Sequence, residues 1–133
     1  MNKKKTLIAN LIKLIMKFSS LKVTTPYLNL KPVFYNKIDP TPPEKPFLIS
    51  TSQSAAKLLG ADEDPALNVE LIHIVNGKTK LEGSETFVMC YTGHQFGEFS
   101  GRSGDGRVVN LGKVKGQNLR LKGSGLTLYS PPS

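Results

Sequence analysis

Residues 91 to 112, "YTGHQFGEFSGRSGDGRVVNLG", gather His94, Arg102, Asp105 and Arg107 among six of the chain's twelve glycines. Glycine lets the backbone reach φ > 0 and lets N–H groups close on an anion. Arginine adds a planar fork that matches phosphate. Two nucleotide-binding signatures are excluded by the residues after the glycines. No lysine–serine/threonine pair ends the loop, as a P-loop requires. A dinucleotide fingerprint opens a helix, whereas "GRSGDGR" enters the strand-like run "RVVNLGKV". A glycine-rich loop that enters a strand, followed by a strand bearing a lysine, is the pattern of a kinase-like N-lobe, where both hold phosphates. Lys122 of "NLRLK" is the candidate lysine. "GDG" also makes ordinary hairpin turns, so turn and phosphate cradle stand as equal readings of these residues.

The elements that must position this chemistry are set by pattern. In "NLRLK", Leu119 and Leu121 alternate with Arg120 and Lys122, which predicts a strand with both cations on the face opposite the leucines. The short "KGQ" link to "RVVNLGKV" predicts an antiparallel hairpin. "STSQSAAKLLGADED" predicts a helix with a Ser/Thr cap and a left-handed stop at Gly60. "NVELIHIV" and "ETFVMCYTG" fit strand or buried helix, and Asn76–Gly77 marks a turn. Pro40, Pro42, Pro43 and Pro46 make a stiff extended connector, after which "FLIS" is expected to be a short strand or extended piece. His73 has no Cys or His at ligand spacing and is expected to be structural. Cys90, the chain's single cysteine, lies in apolar "FVMCY" and is expected to be a buried small hydrophobe. One cysteine excludes an internal disulfide, and the expected setting is a reducing, cytoplasmic compartment.

The formal charge of +8 does not describe the body of the protein. Residues 1 to 38 hold eight lysines and no acid, while residues 39 to 133 hold ten bases and ten acids. A phosphate-tracking surface needs its bases on the folded part, so no nucleic-acid partner is expected. In "TLIANLIKLIMKFSSL" Leu7, Ile8, Leu11, Ile12, Leu14, Ile15 and Phe18 share one helical face, opposite Asn10, Lys13 and Lys17. Such a basic amphipathic leader is expected to pack on the domain or fray from it, with contact to a membrane surface through residues 1–22 as the next reading. It is too short and too charged to span a bilayer.

The blocks "GHQFG", "GDGR" and "LKGSGLTLYS", in this order, resemble the selenoprotein O (SelO, YdiU) family of pseudokinase-fold protein adenylyltransferases. "FY…DPTPPEKPFLIS…AAKLLG" resembles the family's N-terminal part, so the likeness covers about residues 34 to 130. It implies transfer of AMP from ATP, with a divalent cation such as Mg2+, to Ser, Thr or Tyr hydroxyls of protein substrates. It also implies that Gly104, Gly106 and Arg107 bind the nucleotide and that Lys122 holds its phosphates. His94 and Gln95 match the signature and are expected to give structural support, and Asp105 is expected to have no catalytic role. Family members continue past the Tyr-Ser block with the helix glutamate, the catalytic aspartate and the metal-holding Asn and Asp. Here "PPS" comes after Tyr129–Ser130.

The expected fold class is therefore α+β, an incomplete protein-kinase-like N-lobe of antiparallel strands with a glycine-rich loop, preceded by an N-terminal helix and an extended Pro-rich segment. Residues 1–33 are expected as the leader and 34–133 as the SelO-like segment. The expected function is that of an adenylyltransferase fragment, inactive alone, with a complementary C-terminal chain as a possible partner. The alternatives are a non-catalytic nucleotide- or partner-binding module, or a membrane-surface peptide with a vestigial body. An N-lobe without its downstream helix is expected to expose an apolar sheet face and to aggregate.

Overall fold

Ser52 and Gly60 bracket the first helix in the computed structural model, which describes residues 17–130. The Ser52 Oγ accepts from the Ala55 N–H at 3.3 Å, and Gly60 stops the helix at φ 80°, so α1 runs Gln53–Leu59 between the predicted cap and stop. "NVELIHIV" resolves to helix α2, Val69–Val75, because the Asn68 Oδ1 accepts from the Leu71 N–H at 2.8 Å. Asn76–Gly77 closes that helix, with Gly77 at φ 84°. "FLIS" enters no ladder. The apolar helical face of the leader, residues 7 to 15, lies outside the described residues.

Five strands make one antiparallel sheet: β1 Tyr35–Lys37, β2 Phe87–Gln95, β3 Glu98–Gly104, β4 Val108–Val114 and β5 Gln117–Lys122. The order is β1-β2-β4-β5, with β3 also on β2. β4 and β5 form the predicted hairpin. Its tip, Lys115–Gly116, has φ 46° and 81°, the pair of positive values that a tight two-residue turn needs. The turn Phe96–Gly97, at φ 54° and 83°, joins β2 to β3 in the same way. The structure is thus α+β.

The sheet's apolar face is covered, contrary to expectation. Val88 and Val109 are 0% and 1% exposed, packed with Leu111 and Leu121 beneath Ile38 and Tyr129. A second cluster joins Phe18, Leu21 and Val23 to Ala56, Ile74 and Val114, and Leu119 touches both clusters. Part of the cover comes from upstream, since Val23 N–H donates to the Glu82 carbonyl at 2.9 Å and Thr24 forms an antiparallel bridge with Lys113. Residues 18–24 thereby cover the sheet at Val114, while Ile38 and Tyr129 cover the Val88–Leu121 cluster.

Candidate functional site

The Gly-Asp-Gly-Arg segment closes a turn, in which the Val108 N–H donates to the Asp105 carbonyl at 3.2 Å, but it is not the tip of a hairpin, since β3 and β4 do not pair with each other. Three steps along β2, from Cys90 back to Phe87, are matched by six on the opposing chain, from Gly104 to Asn110. β3 and β4 therefore lie end to end along β2, and Asp105, Gly106 and Arg107 bulge out between them. A bulge needs substitutes for the ladder bonds it breaks. Asp105 supplies them. Its N–H donates to the Met89 carbonyl at 3.3 Å, while its Oδ2 accepts from the Met89 N–H at 3.0 Å and from the Asn110 Nδ2 at 2.6 Å. Asn110 is 3% exposed and also donates to the Phe87 carbonyl. The carboxylate of Asp105 is thus committed to the backbone of the bulge, a structural role in keeping with its place in the sequence.

The two glycines flanking Asp105 differ in what their missing side chains permit. A Cβ on Gly104 would sit 2.3 Å from the Met89 carbonyl oxygen and 2.5 Å from the Tyr129 ring, so Gly104 is there for packing. Gly106, at φ 62°, has open space where its Cβ would be, and its carbonyl accepts from the Thr127 hydroxyl. Thr127 and Tyr129 of the "LTLYS" block therefore brace the bulge from one side. Tyr129 also donates its phenol proton to the Asn36 Oδ1 at 2.7 Å, tying the block to β1.

The backbones of Lys122 and Arg107 adjoin at the exit of the bulge, and Lys122 lines a cleft with Phe47, Ile49 and Asn76. Val108 pairs with Lys122 across the β4–β5 ladder, and the Gly123 N–H donates to the Arg107 carbonyl at 2.9 Å. Both cations are exposed and, among the described residues, neither makes an ion pair. Lys122 and Arg120 share the face opposite the buried Leu121, as the alternation predicts. On that face lies a cleft of about 260 Å³ lined by Tyr27, Leu30, Phe87, Met89, Asn110 and Asn118. Its aromatic wall is built by Tyr27 stacked on Phe87 at 5.5 Å, with Tyr35 edge-on to the same ring. Sequence reading missed Tyr27 and Asn110, because nothing local in "TTPYLNL" or "VVNLG" indicates that the two meet across the sheet.

Cys90 is buried, as expected, but its neighbours are not all apolar. Arg102 Nε reaches its sulfur at 3.1 Å. The Tyr129 hydroxyl and the Arg102 guanidinium together hold the thiol below its ordinary pKa. The Tyr129 phenol is shared with Asn36, to which it donates at 2.7 Å, while Arg102 Nε donates to the sulfur. Replacing Arg102 by Ala should move the Cys90 pKa back up, read as a shift of the ultraviolet thiolate absorbance to higher pH. An unmoved titration would assign the effect elsewhere. His94 packs its ring on Phe99 at 5.4 Å near the β2–β3 tip, and Gln95 pairs with Glu98 through the backbone. His73 lies on α2, partly buried, its Nδ1 without a partner among the described residues.

No group of three or more His, Cys, Asp or Glu that fits a metal ion occurs among the described residues, and no described helix is long and apolar enough to cross a membrane.

A family model described as Protein adenylyltransferase SelO matches residues 17–132. A protein nucleotidyltransferase YdiU of Azoarcus sp. is 43% identical over 101 residues, which is 72% of this chain and 20% of that protein. The protein of the same description from Rhodopirellula baltica is 41% identical over 101 residues, 72% of this chain and 19% of that one. That from Flavobacterium johnsoniae is 38% identical over 105 residues, 76% and 20% of the two chains. The chain spans about a fifth of the length of these relatives.

Proposed function

The chain belongs to the SelO family, and from that premise we propose that it contributes the phosphate-binding part of an ATP-dependent protein adenylyltransferase site. In this reading Gly106, Arg107 and Lys122 hold the nucleotide phosphates, and Gly104 shapes the backbone beneath them. The observation that carries it is the juxtaposition at the bulge exit: exposed Arg107 precedes Val108, whose cross-strand partner is exposed Lys122, next to a glycine with open space above it. Phosphate oxygens are recognised by such an arrangement of a guanidinium fork, an ammonium and approachable backbone.

The kinase-like comparison belongs to the same proposal. A projecting hairpin, β2–β3, is followed through β4 by an antiparallel strand that ends in Lys122. In kinase N-lobes a hairpin covers the phosphates and the lysine-bearing strand comes after it. By this topology the hairpin tip is Phe96–Gly97, and the Gly-Asp-Gly-Arg segment is a bulge farther along the returning strand.

The residues at the bulge fit ATP. ATP would supply the AMP group, and the chain's own contribution is to neutralise phosphate charge and fix its position. The same residues do not fit magnesium. Asp105, the carboxylate within the bulge, is already bonded to Met89 and Asn110, and no acidic cluster occurs among the described residues. The reading therefore has this chain bind nucleotide without transferring AMP when alone, with protein hydroxyls as the substrates of the whole enzyme.

Calorimetric titration with ATP tests this. Binding should be measurable, and Arg107→Ala combined with Lys122→Ala should weaken it by roughly tenfold to a hundredfold, the loss of two charge-assisted contacts. Absence of heat at high protein concentration, or an unchanged affinity in a folded double variant, would sink the proposal.

A further inference from the structure

The peptide that joins Gly106 to Arg107 is held on one side only. Its carbonyl accepts from the Thr127 hydroxyl. In a planar trans peptide the N–H points opposite the carbonyl, so the Arg107 N–H faces away from the "LTLYS" block. Among the described residues neither that N–H nor the N–H of Gly106 has an acceptor. The other two amides of the turn are taken, Asp105 N–H by the Met89 carbonyl and Val108 N–H by the Asp105 carbonyl. The turn thus keeps two consecutive donors, and a Cβ on Gly106 would meet nothing within 4 Å.

The local chain does not fix this orientation. Gly106 takes φ 62° while Arg107 stays out of the positive region, as in a type II′ turn. Glycine reaches either sign of φ at little cost, so the peptide after it can turn over. The Val108–Asp105 bond closes the turn, but turns of either central-peptide orientation share such a bond. Turned over, the peptide would present a carbonyl oxygen where it now presents the Arg107 N–H. A carbonyl repels phosphate, whereas successive N–H groups make an anion-binding concavity. Thr127 supplies the missing restraint and is itself fixed. Its Oγ1 accepts from the Tyr129 N–H at 3.1 Å, and its own N–H donates to the Ser130 Oγ at 2.8 Å. The Tyr129 ring meanwhile lies against Gly104. One short block, residues 127 to 130, therefore grips both glycines that flank Asp105.

We propose that Thr127 is a positioning residue for phosphate. Its hydroxyl locks the 106–107 peptide so that the amides of Gly106 and Arg107 donate to phosphate oxygens, beside the side chains of Arg107 and Lys122. This inference rests on the nucleotide reading above and adds to it a residue that touches no nucleotide.

Calorimetry and amide NMR of the full chain with ATP test it. Thr127→Val removes the hydroxyl at nearly constant shape, and Thr127→Ser keeps it. The valine variant should bind ATP about tenfold more weakly, and the serine variant within about twofold of the unaltered chain. In the unaltered chain ATP should move the Gly106 and Arg107 amide protons downfield, as donation to phosphate does. The valine variant should lose the Arg107 shift. A hydroxyl that serves stability alone would lower the urea midpoint but leave the affinity and the shifts of the folded variant in place, and that result overturns the proposal. So does ATP binding to the unaltered chain without movement of the Arg107 amide, a result that needs no variant to fold. Absence of ATP binding by the unaltered chain overturns the nucleotide reading and this inference together. Equal binding by the unaltered chain and the valine variant overturns this inference alone.

Discussion

Replacement of Gly112 by Val should cost about 4 kcal/mol or more, enough to leave the chain largely unfolded, since a typical domain is stable by only about 5–15 kcal/mol. Two effects combine at this position. Gly112 sits at φ 115°, which side-chain-bearing residues rarely adopt. Its Cβ would also lie 2.5 Å from the Thr24 carbonyl oxygen and 2.6 Å from a Val23 methyl. That carbonyl accepts from the Lys113 N–H at 2.7 Å, and the Thr24 N–H donates to the Lys113 carbonyl at 2.9 Å. The valine would therefore push away the segment that caps the core with Leu21 and Val23. Gly116 is the control. It has φ 81° but open space around its Cβ position, so Gly116→Ala should cost only about 1 kcal/mol, for the backbone alone. Equal urea midpoints for the two variants would show that the close approach of residues 23–25 to β4 is not what requires glycine.

Asp105→Ala should be the next most damaging change, at about 2–4 kcal/mol. The substitution leaves the Met89 N–H without its acceptor and the buried Asn110 amide short of one, and an abandoned buried donor costs about 1–3 kcal/mol. Asp105→Asn keeps an oxygen in place and should recover most of the loss. The alanine variant should also weaken ATP binding, because the three-residue bulge that presents Gly106 and Arg107 loses the bonds that hold its shape. Denaturant unfolding reads the first effect and calorimetry the second. If alanine and asparagine variants unfold alike, the carboxylate is not the clamp of the bulge. If the alanine variant is destabilised yet binds ATP as before, the nucleotide does not use this bulge.

The parts of the fold legible in the sequence were those decided over a few residues. Ser52 and Gly60 set the ends of α1 because a cap and a left-handed stop act within one turn. The β4–β5 hairpin and the face of Lys122 were readable from alternation and a two-residue link. The helix over Val69–Val75 was open because its apolar residues suit either period, and the Asn68 cap with the Gly77 stop decided it. The motifs alone also pointed to the family, since three glycine-bearing blocks in a fixed order are far more specific than any one of them.

What only the tertiary structure decided depended on partners far along the chain. That the "GDGR" turn sits in a bulge and not at a hairpin tip is set by β2, whose Met89 is sixteen residues from Asp105. Whether Gly104 serves a ligand or packing is set by the Tyr129 ring above it. Part of the cover over the sheet comes from Phe18, Leu21 and Val23, joined to β4 across the eighty-nine residues between Thr24 and Lys113, and part from Ile38 and Tyr129. A sequence specifies such contacts only through the folded whole, because burial and ladder register are shared properties of segments that no local pattern links. By itself the sequence named the residues proposed to hold phosphate. The fold alone placed Arg107 beside the strand end that carries Lys122, with Asp105 committed to holding the bulge beneath them.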